Sequence, residues 1–181
     1  MVLKFGGTSV ADVPQIKKIA LKVKKEVNKS NKVIVVVSAM AGVTNNLVEL
    51  VKTTSEISSY SEYDVVLSTG EQVTSALLAT VLNNLNIKAR SWLGWQVPII
   101  SDNSYGKAVI EEIKTDNILE FLKKNQVAII SGFQGVSKEN RITTLGRGGS
   151  DTSAVAIAAA FSAERCDIYT DVDGVYTADP R

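Results

Sequence analysis

The chain has 181 residues, of which 45% are apolar and 22% charged; that composition supports a sizeable core and excludes disorder. Twenty Lys and Arg against 19 Asp and Glu give a formal charge of +1, without the basic excess of a nucleic-acid binder. No histidine and one cysteine, Cys166, exclude serine–histidine and cysteine–histidine mechanisms, histidine-based zinc sites and an intrachain disulfide.

The length fits one domain. Cys166 stands in an apolar run and reads as a small buried hydrophobe. No signal peptide and no membrane-length apolar stretch is expected, so the chain reads as soluble and cytoplasmic, with neither membrane nor nucleic acid as partner.

Val2–Phe5 is apolar except for Lys4 and ends at Gly6-Gly7, which predicts a first strand. Asp12 caps a helix with Pro14 in its first turn, and Ile16, Ile19, Ala20, Val23 and Val27 follow helical spacing. Lys17, Lys18, Lys22, Lys24 and Lys25 form its wet side. Residues 33–37 are all apolar, the mark of a strand covered on both faces. Strand, glycine turn, helix and buried strand make a βαβ unit and predict a parallel sheet.

Thr44 is expected to cap a further helix with Leu47, Leu50 and Val51 inward. A long helical pattern covers residues 62–85. Gly70 interrupts it at a cost of about 1 kcal/mol against alanine, and so points to close packing, a break or a site. Residues 87–92 and 97–100 could be strands, followed by a polar loop at 102–106. Residues 116–124 have helical character, and Val127–Ser131 is another buried strand. The alanine-rich residues 152–163 form a helix suited to close approach to a sheet, and residues 166–170 form the last strand. The alternation predicts an α/β fold, a three-layer α/β/α sandwich with a mainly parallel central sheet.

Three glycine-bearing turns adjoin strands: Lys4-Phe5-Gly6-Gly7-Thr8-Ser9, Gly132-Phe133-Gln134-Gly135 and Leu145-Gly146-Arg147-Gly148-Gly149-Ser150-Asp151. Such turns let backbone N–H groups approach an anion, and a helix N-terminus adds partial positive charge. Gly-x-x-x-x-Gly-Lys-Ser/Thr does not occur, which excludes a P-loop. The third turn begins like Gly-x-Gly-x-x-Gly but has Asp151 at the last glycine position, where a carboxylate repels pyrophosphate; this weakens a dinucleotide-dependent oxidoreductase reading.

Lys4 either reaches solvent or sets its ammonium over phosphate oxygens held by the following amides. Arg147 can grip a carboxylate bidentately and Glu71 can meet an ammonium, and an amino acid presents both groups. Asp151 either caps the alanine-rich helix or orients Lys4 or a metal ion. Asp171 and Asp173 could contact nucleotide or magnesium-bound water, although Asp173-Gly174 is also a turn signal. A carboxylate acceptor is already ionised at neutral pH and needs positioning more than a base, which suits a site without histidine.

The first of those turns resembles aspartate kinases. So do Ser38-Ala39-Met40-Ala41-Gly42-Val43-Thr44, Ser68-Thr69-Gly70-Glu71, the run from Thr143 through Gly146-Arg147-Gly148-Gly149-Ser150-Asp151 to Thr152, and the run from Tyr169 to Ala178-Asp179-Pro180-Arg181. The resemblance implies the amino-acid-kinase fold and phosphorylation of the side-chain carboxylate of L-aspartate by ATP with Mg2+. The product would be 4-phospho-L-aspartate, in the first step towards lysine, threonine and methionine. It implies that Lys4 contacts the β- and γ-phosphates within a loop shaped by Gly6, Gly7, Thr8 and Ser9, and that Asp151 organises that catalytic lysine. Thr44, Glu71, Phe133, Arg147 and Ser150 would line the aspartate site, while Thr170, Asp171, Tyr176 and Arg181 would contact ATP. A homodimer is implied as well.

Family members continue past the Ala178-Asp179-Pro180-Arg181 run, through a further ATP-contacting segment and usually ACT domains. The expectation is therefore one amino-acid-kinase catalytic domain, residues 1–181, shortened at its C-terminal end and without regulatory domains. The alternatives are another kinase of the same superfamily, acting on a different amino acid or a nucleoside monophosphate, and a non-catalytic aspartate-binding fragment.

Overall fold

The computed structural model describes residues 1–29, 32–54 and 60–171. Strand β1 (Val2–Phe5) leads through helix α1 (Val13–Asn28) to β2 (Ile34–Val37), then to helices α2 (Val43–Thr54) and α3 (Tyr60–Asn84). Strands β3 (Ala89–Trp92), β4 (Ile99–Ser101) and β5 (Ile110–Ile113) follow, then helix α4 (Asp116–Lys123). Strands β6 (Val127–Ser131), β7 (Gln134–Ser137) and β8 (Ile142–Thr144) precede helix α5 (Gly149–Ala160) and strand β9 (Cys166–Tyr169).

The apolar strands β1, β2 and β6 are buried on both faces and form the centre of a wholly parallel sheet in the order β3-β6-β2-β1-β9. Successive side chains of a strand point to opposite faces. Leu3, Phe5, Val35, Val37 and Ile129 accordingly meet α1 and α3 through Ile16, Ile19, Val23, Leu78 and Leu82. Val2, Ile34, Val36 and Ile130 face the other way, onto Ile118 and Leu122 of α4 and Ala154 and Ile157 of α5. This is the expected three-layer arrangement. It also puts Lys4, two residues after Val2, on the α5 side.

A second sheet of mixed direction, β5-β4-β7-β8, lies beyond the expectation. Its strands are three or four residues long; β4 overlaps the strand expected at residues 97–100, whereas β5, β7 and β8 are rich in polar side chains, such as Ile-Glu-Glu-Ile in β5, and no apolar run announces them. Gly132-Phe133-Gln134-Gly135, read above as an anion turn, is instead the corner where β6 passes into β7.

Other local expectations need correction. Thr44 is inside α2, whose first residue is Val43, and is not its cap. Leu50 points outward at 61% exposure, since α2 covers only part of α3 and buries none of its own residues. Cys166 is half-buried rather than buried, with its thiol 3.8 Å from the Ala154 carbonyl. A membrane-length apolar stretch does exist: α3 is long and apolar enough to cross a membrane. Its buried Asp64, Ser68, Glu71, Thr74 and Ser75 make it instead the central helix of the fold.

Helix α3 runs unbroken through Gly70, so close packing is the reason for that glycine: a Cβ there would lie 2.8 Å from the Cβ of Ala39. Both atoms are fixed to backbone and neither can swing aside. Overpacking of about 1–3 kcal/mol then outweighs the helix-propensity gain of about 1 kcal/mol. Gly70→Ala is therefore expected to lower the stability measured by urea unfolding, and Ala39→Gly in the same chain to restore most of the loss.

Candidate active site

Ligands of open parallel sheets bind beyond the carboxyl ends of the strands. Here those ends surround a cavity of about 950 Å³. Its wall comprises Lys4 and Gly7 from the end of β1, the loop from Ser38 to Gly42 after β2, Thr44, Asn45 and Val48 of α2, and Tyr63, Leu67 and Glu71 of α3. Gly106, Phe133, Thr144 and the run from Gly146 to Asp151 complete it. Lys4, Gly7, Thr44, Glu71, Phe133, Arg147, Ser150 and Asp151, all singled out in the sequence, thus share one cavity.

Lys4 is only 5% exposed, and its ammonium lies 2.7 Å from Asp151 Oδ1. Asp151 is in the first turn of α5, whose N-cap is Gly148 at φ +73; the aspartate is therefore not the cap, and its carboxylate faces the lysine. A carboxylate in the first turn also offsets the positive end of the helix. Gly149 admits the Phe133 ring: a Cβ there would sit 2.8 Å from Phe133 Cδ2. Phe133 itself takes φ +67, uncommon for a bulky residue, with its N–H donated to Ser153 Oγ at 3.0 Å and its carbonyl accepting from Leu145 N–H at 2.9 Å. These contacts hold the ring against the start of α5.

Glu71 is 3% exposed; its Oε1 accepts the Ala39 N–H at 2.9 Å, and its buried Oε2 has no partner among the described residues. Burial pushes this carboxyl from 4.5 up to about 7, against the opposing pull of the Ala39 hydrogen bond. Arg147 is exposed and has no carboxylate within ion-pairing distance among the described residues. The cavity therefore offers a cation and an acid whose needs are unmet, which is the complement of an amino acid.

Not every expected residue joins this wall. Gly6, Thr8 and Ser9 flank it, and the Gly6 N–H is engaged by the Tyr169 carbonyl at 3.1 Å. Thr170 and Asp171 are exposed at the end of β9, next to β1 and outside the wall. Tyr176 and Arg181, with Asp173, lie outside the described residues. The sequence reading missed Tyr63, Leu67 and the fully buried Asp64. A signal for the last was available: Asp64 precedes Glu71 by seven residues, two helical turns, on one face.

The model of the amino acid kinase family matches residues 1–181. The aspartokinase of Rickettsia felis is 59% identical over the whole chain, which corresponds to 46% of that protein. The aspartokinase of Geobacillus stearothermophilus is 52% identical over the whole chain and 44% of its own length. Among solved structures, an aspartate kinase from Synechocystis matches with TM-score 0.81 and 46% identity over 94% of this chain and 28% of that one. E. coli aspartokinase III in complex with aspartate and ADP matches with TM-score 0.85 and 29% identity over 99% of this chain and 51% of that one. The chain spans just under half the length of these curated relatives.

The displaced carboxyl of Glu71 has a stability consequence. A carboxyl raised on folding contributes stability that is fully present below its ordinary value of 4.5 and is lost as pH rises through about 7. Glu71→Gln abolishes that titration. In urea unfolding without ligand, the variant is expected to gain on the parent by about 2–3 kcal/mol between about pH 5 and pH 8.5. A pH-independent difference would show that Glu71 is not displaced.

Proposed function

The chain belongs to the amino acid kinase family, and from that premise we propose that it builds the catalytic site of an aspartate kinase, with residues 1–181 acting as one catalytic unit. The reaction is transfer of the γ-phosphoryl group of ATP to the side-chain carboxylate of L-aspartate, giving 4-phospho-L-aspartate and ADP. The observation that carries this reading is the convergence on one cavity of a buried Lys4–Asp151 pair, an Arg147 with no ion-pair partner among the described residues, and a buried Glu71 with one oxygen unsatisfied among them. The aspartokinases described above support the choice of substrate.

In this mechanism Arg147 grips a carboxylate of aspartate, with Ser150 and Thr44 as hydroxyl partners, and ionised Glu71 takes the ammonium. Phe133 closes the wall against water. A side-chain carboxylate oxygen then attacks the γ-phosphorus as the bond to the β–γ bridging oxygen breaks, and no proton has to be moved. Lys4 neutralises charge on the β- and γ-phosphates, beside the amides of Gly7, Thr8 and Ser9, while Gly6 shapes the loop with its N–H on the Tyr169 carbonyl. Asp151 keeps its ammonium aimed at the cavity.

Thr170 and Asp171, with Tyr176 and Arg181, are the residues proposed for the nucleotide. Mg2+ suits this donor set as an ion arriving on phosphate oxygens, since it takes one or two carboxylates and keeps its waters. No three acidic, histidine or cysteine side chains cluster among the described residues. Asp151 and Asp171 are the carboxylates proposed to meet it, and bound it would neutralise phosphate charge. A homodimer and a cytoplasmic setting belong to the same proposal.

In a coupled assay with the complete reading frame, ADP is expected to form with L-aspartate but not with glutamate, acetylglutamate or UMP. Lys4→Ala is expected to lower kcat by about 10²–10³-fold while the aspartate Kd changes only several-fold. Arg147→Ala is expected to act chiefly on aspartate binding, raising KM about tenfold or more. Preference for another acceptor would overturn the reading, and aspartate binding without turnover would leave only the non-catalytic alternative.

A further inference from the structure

Asp64 is fully buried in α3 and does not line the cavity. Its Oδ2 accepts the Gly106 N–H at 3.0 Å and the Thr144 N–H at 2.8 Å, and its Oδ1 accepts the Thr144 hydroxyl at 2.7 Å. One carboxylate thereby ties α3 to the end of β8 and to the loop before β5. Those two segments are also joined directly, through Ala108 N–H to the Thr144 carbonyl at 2.8 Å.

Beyond Thr144 the chain turns tightly, with the Gly149 N–H donated to the Gly146 carbonyl at 3.0 Å. Gly146 at φ +76 and Gly148 at φ +73 enclose Arg147, and these conformations suit glycine. A Cβ on Gly146 would lie 3.3 Å from the Gly106 carbonyl oxygen, so the loop rests on the segment that Asp64 holds. Downstream, α5 fixes the loop from Gly149 onward. Upstream, the Leu145 N–H is donated to the Phe133 carbonyl at 2.9 Å, and the Asp64 clamp holds the next residue, Thr144, three positions from Arg147.

We propose that Asp64 is a positioning residue for Arg147: by clamping Thr144 and Gly106 to α3 it fixes the loop that aims the guanidinium into the amino-acid site. The inference rests on the aspartate-site reading above. Glu71 stands seven residues further along α3, about 10 Å up the axis. A single rigid helix thus sets the spacing between the acidic and basic ends of the site. A buried acid that served stability alone would not act through Arg147.

The test is a double-mutant cycle read by calorimetric titration of L-aspartate into the chain, well below its thermal midpoint. Asp64→Ala removes the acceptor of all three hydrogen bonds and is expected to weaken binding about tenfold. In an Arg147→Ala background the same change is expected to cost less than about twofold more, because the group it positions is gone. Thr144→Val, which removes one of the three hydrogen bonds, follows the same pattern more weakly, and Thr144→Ser restores parental binding. The Thr144 pair carries the test if Asp64→Ala does not fold.

Hydrogen exchange at the amides of Gly146, Arg147 and Gly148 supplies a ligand-free readout, expected to be about tenfold faster in the Asp64 or Thr144→Val variant than in the parent. Unchanged affinity in the variants, penalties that multiply in the Arg147→Ala background, or unchanged exchange would each overturn the proposal. Failure of the parent to bind L-aspartate would overturn the aspartate reading instead, with exchange still deciding whether the clamp orders the loop.

Discussion

A lysine ammonium at 5% exposure, at the end of an otherwise apolar strand, is the constraint on which the site depends. Removing such a charge from water costs several kcal/mol unless a counter-charge is at hand. The pleat of β1 sends Lys4 to the same face as Val2, so the partner must come from α5. Asp151 meets this demand only because α5 starts at Gly149 and presents its first turn over the end of β1. The glycines of the preceding loop and the alanines of α5 follow from that approach, as does the unusual backbone of Phe133, whose ring fills the space that Gly149 leaves. The pair is asymmetric: the lysine side chain is 7% exposed and the aspartate side chain 50%. A half-exposed pair adds little stability. What it does is hold a cation, already stripped of water, at the edge of a cavity.

The second organising element is the polar stripe of α3. Asp64, Ser68, Glu71, Thr74 and Ser75 fall on one helical face and are all buried. Ser75 and Ser131 hydroxyls meet at 3.0 Å, Gln134 Nε2 donates to the Ser68 carbonyl at 3.0 Å, and Asp64 and Glu71 reach the loops described above. Apolar residues in these places would bury as much surface but would let the helix slide along the sheet. Hydrogen bonds to fixed backbone groups select one register. That register sets which loops face each other across the cavity.

Legibility in the sequence followed the hydrophobic effect. The central strands and α1 were readable because long apolar runs and helical spacing leave few alternatives, and the parallel sheet followed from strands such as β2 that are apolar on both faces. Of the small sheet only β4 was readable, from the apolar residues 97–100; Gln-Gly-Val-Ser and Ile-Thr-Thr carry no period strong enough to mark a strand. Leu50 was assigned to an interior that α2 does not have. Within the site, motif runs identified Lys4, Glu71, Arg147 and Asp151 as candidates. Asp64 stands two helical turns before Glu71 on one face, but that spacing alone does not separate a buried acid from a solvated one; its partners, about 40 and 80 residues away, give it meaning.

Glu71 shows why such a site is uncomfortable when empty. One oxygen is satisfied by Ala39 and the other is buried with no partner, so the charged form is disfavoured until a ligand cation arrives. An ammonium at Oε2 would supply the missing partner and return the carboxyl towards its ordinary range. Each pKa unit recovered is worth about 1.4 kcal/mol of binding at neutral pH or above it. The protein thus carries in its empty state a cost that the right ligand removes. An acceptor lacking the ammonium would leave the buried acid unpaired. On the proposed reading, selectivity for an amino acid arises from an unmet need on the protein side and requires no histidine.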